Sequence, residues 1–160
     1  MRSQFLPRAL LPPALLLTVF LLLASCSSPV ELVGPDDEGR VLGAIEHYGD
    51  PARIEVPSHV SAGEPFTVTV TTYGGGCVSQ GEVEVSLSGR QATVSPYDYD
   101  VRADRRVTLP PNTICTAVLQ HFTHEAELRF DHAGPARVTI RGQRRPSGEV
   151  ISVNRTVLVQ

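Results

Sequence analysis

The run "FTVTVTTY", Phe66 to Tyr73, alternates strictly, with Phe66, Val68 and Val70 on one side and Thr67, Thr69 and Thr71 on the other. A period of two sends successive side chains to opposite faces of a strand. The same pattern recurs in "EVEVSLS" (Val83, Val85, Leu87) and "EAELRFD" (Ala126, Leu128, Phe130). It continues in "ARVTIRG" (Ala136, Val138, Ile140) and in the last stretch (Ile151, Val153, Val157, Val159). Shorter candidates are Val41–Tyr48, Arg53–Val56, Gln91–Ser95 and Thr116–Phe122. Turn signals such as "GDPA", "SAGEP", "SQGE", "SGRQ" and "RRPSGE" lie between them. Half-buried strands at this spacing, with no amphipathic helix, predict an all-β antiparallel sandwich or barrel over residues 40–160.

Before that region the pattern changes. Residues 1–25 carry Arg2 and Arg8 ahead of an apolar run, "ALLLTVFLLLA", Ala14 to Ala24. That order of charge and apolarity predicts a secretory signal helix. Pro12 and Pro13 leave the run short of the roughly 20 apolar residues a membrane span needs. The stretch "SSPVELVGPDDEG", Ser27 to Gly39, is small, acidic and broken by Pro29, Gly34 and Pro35. It predicts a flexible tether that could extend about 45 Å.

The junction Leu23-Ala24-Ser25-Cys26 resembles the bacterial lipobox at every position: an apolar residue, two small ones, then cysteine. The resemblance implies a diacylglyceryl thioether on Cys26, with cleavage just before it, so that Cys26 begins a mature lipoprotein. Two acyl chains suffice for stable anchoring where one is marginal. The expected localisation is the bacterial cell envelope, and Ser27 in place of Asp implies the outer membrane in a two-membrane cell. Covalent lipid aside, no cofactor is expected.

"SAGEPFTVTV" resembles the entry to the second strand of immunoglobulin-like bacterial domains, and "FDHAGPARVTIRG" resembles their late corner. These two stretches imply an immunoglobulin-like sandwich in the broad sense. The chain has no Trp, so it departs from the antibody-type pattern of a tryptophan packed on an inter-sheet disulfide.

Three cysteines leave one odd, and the lipobox claims Cys26. In an oxidising compartment Cys77 and Cys115 are then expected to pair. That bond closes about 39 residues and stabilises the fold by roughly 4 kcal/mol in the chain-entropy model.

Charge narrows the partners. Removing residues 1–25 takes two of the fourteen basic residues and no acid, leaving twelve against seventeen, a formal charge of −5. Nucleic acid is therefore not an expected partner, because phosphates need a positive face. The pairs Arg105-Arg106 and Arg144-Arg145 are too short to reverse that balance. Expected partners are the membrane, through the lipid, and an envelope protein or extracellular ligand.

Candidate chemistry is sparse. "PYDYDVRAD", Pro96 to Asp104, reads as a solvated acidic loop whose Tyr97, Asp98, Tyr99 and Asp100 could form a contact surface. It lacks the Gly and closing Glu of an EF-hand. His121, His124 and His132 are the alternative reading, a periplasmic copper or zinc site. "HEAEL" begins an HExxH motif and fails at the second His, no GxSxG occurs, and "YGGGC" lacks the Lys of a phosphate loop. The expectation is a binding or scaffolding module and not an enzyme.

Overall fold

The computed structural model describes residues 38–160, which form ten strands and no helix. The signal segment, Cys26 and most of the tether fall outside the described residues. The strands are β1 (Glu38–Leu42), β2 (Ala44–His47), β3 (Ile54–Glu55), β4 (His59–Val60) and β5 (Pro65–Gly74). They continue with β6 (Val78–Ser88), β7 (Gln91–Asp104), β8 (Gln120–Arg129), β9 (Gly134–Arg145) and β10 (Glu149–Val159). Strand β1 begins two residues inside the stretch read as tether.

Two sheets pack face to face. The larger runs β1-β7-β9-β10-β4, with β6 also on β7 and β2 also on β9; the smaller runs β3-β5-β8. Their inward rows are those the alternation predicts. Phe66, Val68 and Val70 of β5 stand opposite Leu128, Ala126 and His124 of β8. Against them lie Ala92 and Val94 of β7, Ala136, Val138 and Ile140 of β9, and Val157 and Val159 of β10. Each fully buried Val, Leu, Ile or Phe side chain contributes about 1.5–3 kcal/mol.

Three expectations are corrected. The larger sheet is mixed rather than antiparallel: β4 runs parallel to β10, β2 to β9, and β7 to β9. In "EVEVSLS" only Val83 packs against the core, while Val85 and Leu87 are exposed. Their strand, β6, pairs only with β7 at the edge of the larger sheet, where the three-stranded sheet does not cover them. The third correction concerns Pro96 to Asp104. It is no loop but the second half of β7, held by β1 on one side and β6 on the other.

Strands β1 and β2 form one segment that changes partner at Gly43. The Gly43 N–H donates to the Pro96 carbonyl at 2.9 Å, and the Gly43 carbonyl accepts from the Gln143 N–H at 2.9 Å. The segment thus fills the gap where β7 and β9 splay. A side chain at residue 43 would meet Thr72 Cγ2 at 2.6 Å and Asp98 Oδ2 at 3.1 Å, so only glycine fits.

Cys77 and Cys115 form the expected disulfide, with Cα atoms 5.2 Å apart. It ties the β5–β6 turn to the strandless segment 105–119. Beside it the Gly76 N–H donates to the Thr116 carbonyl at 3.1 Å, and any Cβ at residue 76 would overlap Thr116 Oγ1. The triple glycine before Cys77 lets the two backbones touch.

Candidate functional site

Of the four residues expected to form a contact surface, only Tyr99 and Asp100 line a cleft, one of about 540 Å³ beside Glu38, Cys77 and Arg106. Tyr97 is buried, with the Arg40 guanidinium stacked 3.3 Å from its ring centroid. Arg40 in turn pairs with Glu82 and Glu84. The Tyr99 hydroxyl donates to Glu82 Oε2 at 2.6 Å, and this hydrogen bond holds the Glu82 carboxyl below the ordinary range. Asp100 accepts from Arg102 Nε at 2.8 Å and from the Arg102 backbone N–H at 3.0 Å. Burial pushes the Asp100 carboxyl up, but these bonds and the Arg102 charge outweigh it and leave it low.

Asp98 is the most committed of the four. It is 1% exposed and lies in the interior with His124, 2% exposed, and Thr72, fully buried. His124 Nε2 stands 3.0 Å from Asp98 Oδ1 and 3.0 Å from Thr72 Oγ1. Its Nδ1 has no hydrogen-bond partner among the described residues. In a nucleophilic triad the hydroxyl and the carboxylate hold opposite ring nitrogens, so that a proton passes through the imidazole. Here both oxygens converge on one nitrogen, out of reach of solvent. The cluster pins β5, β7 and β8 together and does no proton relay.

The alternative metal ligands are not brought together. His121 is exposed on the face of β8 opposite His124, and His132 lies exposed beyond the strand's end. Among the described residues no group of three or more His, Cys, Asp and Glu side chains converges to hold a metal ion.

A second, smaller cleft lies at one end of the sandwich and is lined by aromatic, apolar and basic side chains together. This cleft, of about 280 Å³, opens where β2, β5 and β9 end, walled by segment 105–119. Its floor is aromatic. The His47 ring stacks on Tyr73 at 5.5 Å between centroids, and Tyr73 meets His121 edge-on at 5.2 Å. Tyr48 packs edge-on against His47 at 4.7 Å and is 72% exposed.

Tyr48 sits in a left-handed conformation, φ +48°, followed by Gly49 at +95°. The Asp50 N–H donates back to the His47 carbonyl at 2.9 Å, closing a tight turn with both central residues at positive φ. Such a φ is rare for a bulky side chain, and strain of this kind concentrates at functional sites. The opposite wall is apolar. Val118 and Leu119 line the cleft and are themselves largely exposed. The disulfide at Cys115 holds them in place.

Two arginines complete the lining, Arg102 and Arg145. Arg102 is paired with Asp100 through both carboxylate oxygens. Arg145 is half-buried and makes no side-chain hydrogen bond or ion pair among the described residues, although its charge acts on Asp100. Its neighbour Arg144 turns the other way, to Glu46 at 2.6 Å and Glu149 at 2.8 Å. Two guanidiniums against one carboxylate leave the cleft a single positive charge.

No family model, curated protein or solved structure matches the chain. The functional reading therefore stands on this geometry. Sequence reasoning missed Tyr48, Arg102 and Arg145 as site residues. The one available signal was "HYGD", where a tyrosine precedes the glycine of a tight turn.

Proposed function

We propose that the chain is a lipid-anchored bacterial envelope protein whose β-sandwich binds a ligand non-catalytically, in the cleft between Tyr48, Arg145 and Leu119. The single observation that carries the binding reading is Arg145: a half-buried guanidinium, unpaired among the described residues, on an aromatic and apolar cleft. Burying a charge without a partner is unfavourable, and a ligand that pairs with it recovers that loss. Strained Tyr48 and the disulfide-held wall support the same reading.

The finer fold proposal is an immunoglobulin-like arrangement in the broad sense. Its support is the divided early segment, β3 antiparallel to β5 in one sheet and β4 parallel to β10 in the other. The parallel β7–β9 pair departs from the antiparallel centre of that architecture.

A fragment screen on the full chain in detergent micelles, read by NMR, tests the binding reading. Hits are expected to perturb Tyr48, Val118 and Leu119 first; hits scattered over the surface, or none, would overturn it. The anchor rests on the lipobox at Cys26. Cys26→Ala is expected to leave an uncleaved or soluble protein without lipid mass, whereas unchanged membrane fractionation and mass would refute the anchor. With an acylated Cys26, the cleft works at a membrane, in the outer membrane if the cell has two.

A further inference from the structure

We infer that the cleft recognises a single carboxylate carried on an apolar body about the size of a phenyl or isobutyl group. The inference rests on the binding reading and adds the chemical class of the ligand.

Charge comes first. Among the described residues the cleft has two guanidiniums, Arg102 and Arg145, against the one carboxylate of Asp100, which pairs with Arg102 through both oxygens. A monoanion is matched by the single positive charge left over; a phosphate dianion would leave one negative charge uncompensated. The chain as a whole is acidic, at −3, so a local positive site stands out against its background. Arg145 also presents a planar fork of donors, the geometry that a carboxylate accepts through both oxygens.

Size and surface come next. At about 280 Å³ the cleft falls just below the roughly 300–1,000 Å³ of drug-sized ligand sites. It has room for one amino-acid-sized acid. Tyr48 and His47 give an aromatic flank, and Val118 and Leu119 give an aliphatic one. An apolar group placed between them is removed from water on both sides. The carboxylate then lies at Arg145 while the apolar group covers it, which strengthens the ion pair by excluding solvent.

This chemistry has two sources: the last residue of a polypeptide, or a small free acid. Titration of the full chain in micelles separates them. The probes are N-acetyl-phenylalanine, its C-terminal amide, phenylacetate, and an eight-residue peptide ending in a free Phe carboxylate.

N-acetyl-phenylalanine is expected to bind at least about tenfold more tightly than the amide. Arg145→Gln is expected to erase that difference, and Arg145→Lys to restore part of it. A peptide at least about tenfold tighter than N-acetyl-phenylalanine supports the polypeptide source. Phenylacetate binding as well as the peptide supports the free acid. Acid and amide binding equally in the cleft would overturn the inference while leaving the binding reading intact. No binding by any probe, with fragments still mapping to the cleft, would also overturn the inference. An Arg145→Gln protein that keeps the acid preference would overturn it as well, and its unfolding midpoint shows that the comparison is between folded proteins.

Discussion

Replacing His124 by Ala is expected to lower the stability of the sandwich by about 3–5 kcal/mol, a large-to-small cavity in the core combined with a buried acceptor left unpaired. The substitution removes the Nε2 donor 3.0 Å from Asp98 and leaves that carboxylate, 1% exposed, without its partner. It also removes the contact with Thr72 Oγ1 and opens a void in the row that continues into Ala126, Leu128 and Phe130. Urea denaturation at neutral pH measures the effect. Removing both partners together, as Asp98→Leu with His124→Leu, is expected to recover much of the loss, because no buried polar group is then left unpaired. A single-mutant loss under about 1 kcal/mol would show that the pair does not pin the core.

The second large effect is the disulfide. Cys77→Ser with Cys115→Ser is expected to destabilise the chain by about 4 kcal/mol, since the bond closes a loop spanning 38 residue steps. Against a total of about 5–15 kcal/mol for a domain, that is a substantial share. The loop encloses β6 and β7, so the unfolded chain regains freedom over the larger sheet's edge and centre. The folded state loses local order as well. Thr116 stays on Gly76 through a 3.1 Å backbone hydrogen bond, but Val118 and Leu119 lose their covalent stop. Denaturation of the oxidised protein with and without reductant checks the value. Identical midpoints would mean that backbone packing at Gly76 suffices.

Much of the framework was legible because alternation is a local signal. Phe66, Val68 and Val70 or Ala136, Val138 and Ile140 identify their own inward face, whatever they pack against. The acidic half of β7 was illegible for the opposite reason. Three of its polar side chains are satisfied from another strand: Tyr97 by Arg40 of β1, Asp98 by His124 of β8, Tyr99 by Glu82 of β6. Read alone, such residues look solvated.

One cue was present. Thr72, Asp98 and His124 each continue the parity of an apolar row, after Val70, after Val94 and before Ala126. Three polar residues in phase with three core rows mark a buried cluster. The cleft offered no comparable cue. Arg144 and Arg145 are adjacent and identical, yet opposite sides of β9 send one to Glu46 and Glu149 and the other to the cleft. Only the course of β2 beside β9 distinguishes them.

The changeover at Gly43 has a mechanical side. Tension arriving from residues before Glu38 enters the fold along β1, which lies lengthwise against β7, and passes into β2, lengthwise against β9. Pulling along a strand loads its ladder hydrogen bonds together, in shear, whereas pulling across it would peel them one at a time. The two ladders, joined through the bonds of Gly43 to Pro96 and Gln143, share that load at the middle of the larger sheet. A domain held by its N-terminal end is therefore loaded first through the β1 and β2 ladders.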